Sequence, residues 1–253
     1  MPVLSKLVVR LIKKIGSGSG KPQLCTAVIA AAGSSIRMGG EDKLFVCLNG
    51  APALVHTIAA FQKCSFIHEI IVVTRQDKLE YVSGLCSLYG ATKVSKVVTG
   101  GQSRLESVLS GLLAVSENSA LVAVHDGARP CVTENVIKDA VTAAGSYYAV
   151  APAVMVSSTM KRASNGNVIE TVDRENLFEI QTPQVFDKDL IKAALTNAQN
   201  RSLEITDDCM AVELLGFPVH LSDGSKNNIK LTTGEDLAVA EAILLSNRSG
   251  PCV

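Results

Sequence analysis

From Leu24 onward, short apolar runs rich in β-branched residues alternate with longer segments of helical spacing, a pattern that restricts the chain to β-α-β units around a mostly parallel sheet. Thr26 to Ala31, Glu69 to Thr74, Val94 to Val98, Leu121 to His125 and Ala149 to Pro152 are the predicted strands. Between them Pro52 to Cys64, Lys78 to Leu88, Ser103 to Val115 and Glu134 to Ala144 have the spacing of helices. The expected fold is therefore α/β, a doubly wound and mostly parallel sheet. After Pro152 the rhythm changes, and Asn165-Gly166-Asn167 is a turn signal between two extended stretches. A projecting β-arm at about 154–173 is predicted there. Helical spacing returns at Asp187 to Asn197 and Asp207 to Leu215, short strands are expected near Val219 to Ser222 and Asn228 to Leu231, and a last helix starts at Glu235.

With 253 residues, 47% of them hydrophobic, the chain can bury one sizeable core, so residues 21–253 are expected to form a single domain. The 24 basic and 24 acidic residues cancel, which argues against a nucleic-acid partner and for a small anionic ligand. None of the seven cysteines lies in a C-x-x-C pair or in a Cys/His cluster at metal-ligand spacing. They read as reduced thiols of a cytoplasmic compartment, or of a plastid in a eukaryote. No stretch approaches the roughly 20 continuous apolar residues that span a bilayer. Residues 1–20 differ from the rest: Leu4, Leu7, Val8, Leu11, Ile12 and Ile15 recur at helical spacing beside Lys6, Arg10, Lys13 and Lys14, followed by a Gly/Ser linker. Three readings of this basic extension stand side by side: contact with a membrane surface, a trace of organelle targeting, and a segment packed loosely on its own domain.

Two motifs stand where an open parallel sheet binds ligands, outside the carboxyl ends of its strands. Ala31-Ala32-Gly33-Ser34-Ser35-Ile36-Arg37-Met38-Gly39-Gly40 follows the first predicted strand, with Lys43 shortly after. A loop of small residues lets backbone N–H groups approach a phosphate, and Arg37 and Lys43 add fixed positive charge. The loop matches neither G-x-x-x-x-G-K-[ST] nor G-x-G-x-x-G, so neither a P-loop ATPase nor a dinucleotide oxidoreductase is supported. His125-Asp126-Gly127-Ala128-Arg129-Pro130 closes another apolar strand. A carboxylate beside a triphosphate suits Mg²⁺, which takes hard oxygen ligands and keeps phosphate oxygens in its shell, so Asp126 is the expected metal ligand. His125 is read as a support for the site, since attack by a phosphate oxygen needs no general base. Lys161, Arg162, Arg174 and Lys230 are the other notable cations, and the Ile-Lys-Leu pattern around Lys230 places it near the sheet.

Taken together these residues resemble the 2-C-methyl-D-erythritol 4-phosphate cytidylyltransferase family, over about Leu24 to Leu245. The carrying motifs, in order, are Ala31 to Met38 with Lys43, Gly100-Gly101 with Arg104 and Ser107-Val108-Leu109, His125 to Pro130, Thr159 to Arg162, Thr171 to Arg174, Gln181 to Gln184, Ile205-Thr206-Asp207, and Asn228-Ile229-Lys230. The resemblance implies a Rossmann-like nucleotidyltransferase that transfers CMP from CTP to a polyol phosphate with Mg²⁺, releasing pyrophosphate in isoprenoid precursor synthesis. It implies that Ala31, Ala32, Gly33, Gly101, Gln102 and Ser107 surround the cytosine and ribose, and that Arg37, Lys43 and Lys230 act on the triphosphate. It further implies that Thr159, Arg174 and Thr182 contact methylerythritol phosphate, some of them across a homodimer joined by the β-arm. Ser158, Gln102 and Ala30 depart from the family's usual residues. Ribitol 5-phosphate cytidylyltransferase is the nearest alternative, and Thr159 to Arg162 with Thr171 to Arg174 fit the erythritol branch better. A catalytically inactive scaffold would be expected to lack Arg37, Lys43, Asp126 or Lys230, and all four are present.

Overall fold

A computed structural model describes residues 23–33 and 42–248. The basic extension and most of the small-residue loop, Arg37 included, lie outside the described residues. β1 (Cys25–Ala31) is followed by a tight hairpin of β2 (Cys47–Leu48) and β3 (Ala51–Pro52), then α1 (Ala53–Lys63), β4 (Ile67–Thr74), α2 (Leu79–Leu88), β5 (Val94–Thr99), α3 (Arg104–Ala114) and β6 (Leu121–Asp126). The second half comprises α4 (Glu134–Tyr147), β7 (Ala149–Met155), the hairpin β8 (Met160–Ser164) and β9 (Asn167–Val172), β10 (Phe178–Ile180), β11 (Gln184–Asp187), α5 (Lys188–Asn200), α6 (Asp208–Glu213), β12 (His220–Asp223) and α7 (Glu235–Arg248).

The main sheet runs β5, β4, β1, β6, β11, β7. β1 pairs in parallel with β4 on one side and β6 on the other, and β4 with β5. Only β10 and β11 run against this direction. Val150 pairs with both Val185 and His220, so β11 and β12 occupy opposite edges of β7. A sheet buried on both faces needs apolar residues at every position of its central strand. β1 supplies them at all but Thr26, whose buried hydroxyl donates to Glu69 Oε2 at 2.8 Å: Cys25, Ala27, Ile29 and Ala31 join a core with α1, α2, α4 and α7, while Val28 points to a second core with α3, α5 and α6. The expected doubly wound α/β sheet is thus observed.

Three details differ from the sequence reading. Lys230 is not on a strand, because 228–231 forms no ladder. The segment is tied instead by single bonds on either side of Lys230, with Leu231 N donating to Ala128 O at 2.9 Å and Arg129 Nη1 to Asn228 O at 2.7 Å. The strand expected to end at Pro152 continues to Met155, since β10 offers it an antiparallel partner. β10 and β11 themselves were missed: they are three and four residues long, too short for periodicity to show. The arm begins beyond Met155, and β8 and β9 pair with each other alone. Its turn has Asn165 at φ 49° and Gly166 at φ 78°, the doubly left-handed geometry for which Asn-Gly is selected.

Among the described residues no helix is long and apolar enough to cross a membrane. The described cysteines are all free thiols, buried except for Cys47.

Candidate active site

The strand order reverses around β1: the chain moves from β1 outward to β4 and β5, then returns to β6 on the other side. Loops at such a reversal diverge and leave a crevice at the carboxyl ends of the strands. A cleft of about 690 Å³ lies there, formed by the ends of β1, β4, β5 and β6. Of the sequence-predicted residues, Ala31, Ala32, Gly33 and Lys43 line it from the β1 side, Gly101, Gln102 and Ser107 from the β5 side, and Asp126 and Lys230 from the floor. Thr159 and Arg174 do not line it. Both are exposed beside the arm, where Arg174 Nη1 donates to Ser157 O.

The β5 wall owes its shape to a capped helix start. Ser103 Oγ accepts from Glu106 N at 3.1 Å, while Glu106 Oε2 accepts from Ser103 N at 3.2 Å and from Gln102 N at 2.6 Å. Ser107 Oγ donates to Ser103 O at 2.9 Å. Gly100 is required for the close approach of this loop to β1, because a Cβ there would sit 2.6 Å from Ala32 Cβ and 2.7 Å from Ser107 Oγ.

Charge dominates the floor. Asp126 is only 6% exposed, and its carboxylate pairs with Lys230 Nζ at 2.9 Å, with Arg104 Nη1, and with Arg129 Nε at 3.5 Å. Burial opposes ionisation of Asp126, but Arg104 and Lys230, and more weakly Arg129, outweigh it and hold the carboxyl well below the usual carboxylate range. Arg104 Nη2 also donates to Asp208 Oδ2 at 2.9 Å. Burial pushes the Asp208 carboxyl up, against the opposing pull of Arg104.

Thr182 lies beneath this cluster, 4% exposed, with its Oγ1 accepting from Asp126 N at 3.2 Å and bonded to His125 Nδ1 at 2.9 Å. His125 Nε2 is 3.4 Å from Arg129 O, which can only accept. The imidazole therefore carries its proton on Nε2, and the Thr182 hydroxyl donates to Nδ1. Burial pushes the His125 pKa down to about 3, so the ring is neutral near pH 7. With no exposed surface it supports Asp126 and does not reach a substrate. Asn228, also buried, ties the Lys230 segment to the same base, its Nδ2 donating to Thr182 O at 2.9 Å.

The sequence reading assigned no role to Arg104, Arg129 or Asp208. Arg104 appeared in it only as part of a motif, and Asp207 only as the end of another motif and the start of a helical segment. Asp207 is indeed the N-cap, accepting from Met210 N at 2.9 Å. Nothing in a linear pattern says that the next carboxylate turns inward to Arg104, 104 positions earlier in the chain.

The chain matches the family model for 2-C-methyl-D-erythritol 4-phosphate cytidylyltransferase over residues 25–246. The protein of that name from Alkaliphilus oremlandii is 42% identical over 228 residues, covering 89% of this chain and 97% of the relative. Its counterpart from Halalkalibacterium halodurans is 44% identical over 220 residues, 87% of this chain and 96% of the relative. Among solved structures, a 4-diphosphocytidyl-2C-methyl-D-erythritol synthase from Anaerococcus prevotii superposes with a TM-score of 0.78 at 30% identity, covering 88% of this chain and 97% of the other. The Thermus thermophilus 2-C-methyl-D-erythritol 4-phosphate cytidylyltransferase does so with a TM-score of 0.73 at 31% identity, covering 86% and 98%. With a family model matched over residues 25–246 and relatives above 40% identity matched over nearly their whole length, the chain belongs to the 2-C-methyl-D-erythritol 4-phosphate cytidylyltransferase family.

Proposed function

We infer that the cleft carries the family's reaction on this chain: CMP passes from CTP to 2-C-methyl-D-erythritol 4-phosphate, giving 4-diphosphocytidyl-2-C-methyl-D-erythritol and pyrophosphate for the non-mevalonate route to isoprenoids. The observation that carries this reading is the convergence, at one strand-order reversal, of a small-residue nucleotide wall with Lys43, Lys230 and Asp126. A phosphate oxygen of the acceptor attacks the α-phosphorus of CTP, a new P–O bond forms, and the bond to the β-phosphate oxygen breaks with its electrons. The attacking phosphate is already ionised, so no base is required, in keeping with the neutral, enclosed His125. Negative charge grows on the equatorial oxygens and the departing pyrophosphate, where fixed ammonium and guanidinium groups contribute most. Lys230, whose side chain is 42% exposed, can exchange its contact with Asp126 for a phosphate oxygen. Arg37 is assigned to the triphosphate on the resemblance alone.

Mg²⁺ is part of this proposal. Among the described residues no group of three or more His, Cys, Asp or Glu could hold a metal, so a resident, protein-only site is not the model. Asp126 fits the other arrangement, one firmly ionised carboxylate beside a triphosphate whose oxygens complete the shell. When bound, Mg²⁺ would neutralise charge on the phosphates. A homodimer is proposed from the arm, which exposes Val168 and Ile169 at 61% and 63% while Thr159 and Arg174 stand at its base, outside their own cleft. A partner's arm would bring the latter two to the acceptor.

The test is pyrophosphate release with CTP and Mg²⁺, comparing 2-C-methyl-D-erythritol 4-phosphate with ribitol 5-phosphate. Turnover with the first and not the second is expected. Turnover only with ribitol 5-phosphate would leave the nucleotide site standing and reassign the acceptor.

A further inference from the structure

Arg104 is held in an unequal way. Its backbone is fixed by the capped first turn of α3, and the residue lines the cleft that holds Lys43 and Lys230, its side chain 29% exposed. One edge of the fork, Nη2, meets Asp208 at 2.9 Å, and the other, Nη1, meets Asp126. Asp208 is wholly buried, and Arg104 is the one cation paired with it among the described residues. Asp126 is instead shared among Arg104, Arg129 and the half-exposed Lys230. The bond to Asp208 is therefore the one that solvent and competing cations cannot replace, whereas Asp126 retains other partners if Nη1 leaves it. Hydrogen-bonding capacity is also unspent: the donor Arg104 Nε and the acceptor Asp208 Oδ1 are both buried without a hydrogen-bond partner.

Burying a carboxylate against an arginine is seldom the most stable filling for such a space, since apolar residues of equal volume often serve as well. What the pair supplies is direction. A guanidinium has donors on separate edges, so one edge can be anchored while another addresses a ligand, which a lysine cannot do. We propose that Arg104 is a further phosphate-binding residue of the nucleotide site, and that Asp208 is a positioning residue that anchors one edge of its guanidinium so that the other turns from Asp126 to an incoming phosphate oxygen. This rests on the reading of the cleft as the CTP site.

Charge and position predict opposite outcomes for Asp208→Asn. The substitution removes a negative charge from the floor, so attraction alone would tighten binding of a triphosphate. Loss of the anchor would weaken it. The experiment uses the full chain and measures equilibrium binding of CTP and of cytidine, with thermal melting as the control for folding. For Asp208→Asn we expect CTP affinity to fall about ten- to a hundredfold, the size of a charge-assisted hydrogen bond, with cytidine unchanged because it carries no phosphate. Arg104→Lys should reproduce that split, and adding Asp208→Asn to it should cause no further loss, as required of residues acting through one contact. Unchanged or tighter CTP binding in Asp208→Asn would overturn the proposal, as would equal losses for CTP and cytidine, which mark a general support role. If Asp208→Asn fails to fold, Arg104→Lys decides: a loss confined to CTP upholds the phosphate contact, and unchanged CTP binding removes it. A wild-type chain that binds CTP and turns over neither acceptor would overturn the proposed function instead, and is read from separate measurements.

Discussion

Thr182→Val is the sharpest test of how the active-site floor is built. Valine has nearly the shape of threonine, so the packing of this 4% exposed residue is kept and only the hydroxyl is lost. That hydroxyl accepts from Asp126 N and donates to His125 Nδ1, at 3.2 and 2.9 Å. The substitution leaves two groups with no water to replace their partner. An orphaned buried donor or acceptor costs about 1–3 kcal/mol, so a loss on the order of 2–6 kcal/mol is expected for the two. That is a large share of the roughly 5–15 kcal/mol typical of a folded domain. Equilibrium urea unfolding near neutral pH measures it. Kinetics give a second readout: a supporting Thr182 lowers kcat as Asp126 loosens, with little change in KM for the acceptor. A destabilisation below about 0.5 kcal/mol would refute the hydrogen-bond reasoning. A selective rise in acceptor KM at unchanged stability would return Thr182 to direct substrate contact.

Lys230→Ala should lower kcat by on the order of 10²-fold or more while leaving the fold intact, because Arg104 and Arg129 still pair with Asp126; pyrophosphate release at saturating CTP is the assay, and near-normal rates would remove Lys230 from the chemistry. His125 should make the ligand-free protein acid-labile: its folded pKa of about 3 lies below the ordinary 6.5, so the unfolded chain takes up the proton first and stability falls as pH drops from 6.5 toward 3. The slope from this group alone is about 1.4 kcal/mol per pH unit in that window, and urea midpoints that hold steady from pH 6.5 to 5 would contradict it. Ile169→Asp on the arm should shift the protein toward monomer in sedimentation and lower turnover with the acceptor; an unchanged mass would place the dimer contact elsewhere.

The layout of the fold was legible because burial leaves periodic marks. Strands covered on both faces read as unbroken apolar runs, and β1, β4 and β6 were found that way; helices with one buried stripe were found by spacing. The arm turn was legible because Asn165-Gly166 suits few other conformations. Where no such mark exists the reading failed. β10 and β11 owe their pairing to β7 and β6, not to their own composition, and Ile229-Lys230-Leu231 resembles a strand yet finds no neighbour to pair with.

The site divides along the same line. Sequence alone marked Lys43, Asp126, Lys230 and the Gly/Ala loop as candidates for phosphate chemistry, since small residues, cations and a carboxylate recur there in short motifs, and the structure brings those among the described residues to one cleft. Tertiary structure decided their relations: that Thr182 props Asp126 from below, that His125 is sealed off and neutral, and that Arg104 joins Asp126 to Asp208. The reason is physical. A backbone turn is specified by neighbours in the chain, whereas the charge state and orientation of a buried side chain depend on groups brought to it from a hundred residues away.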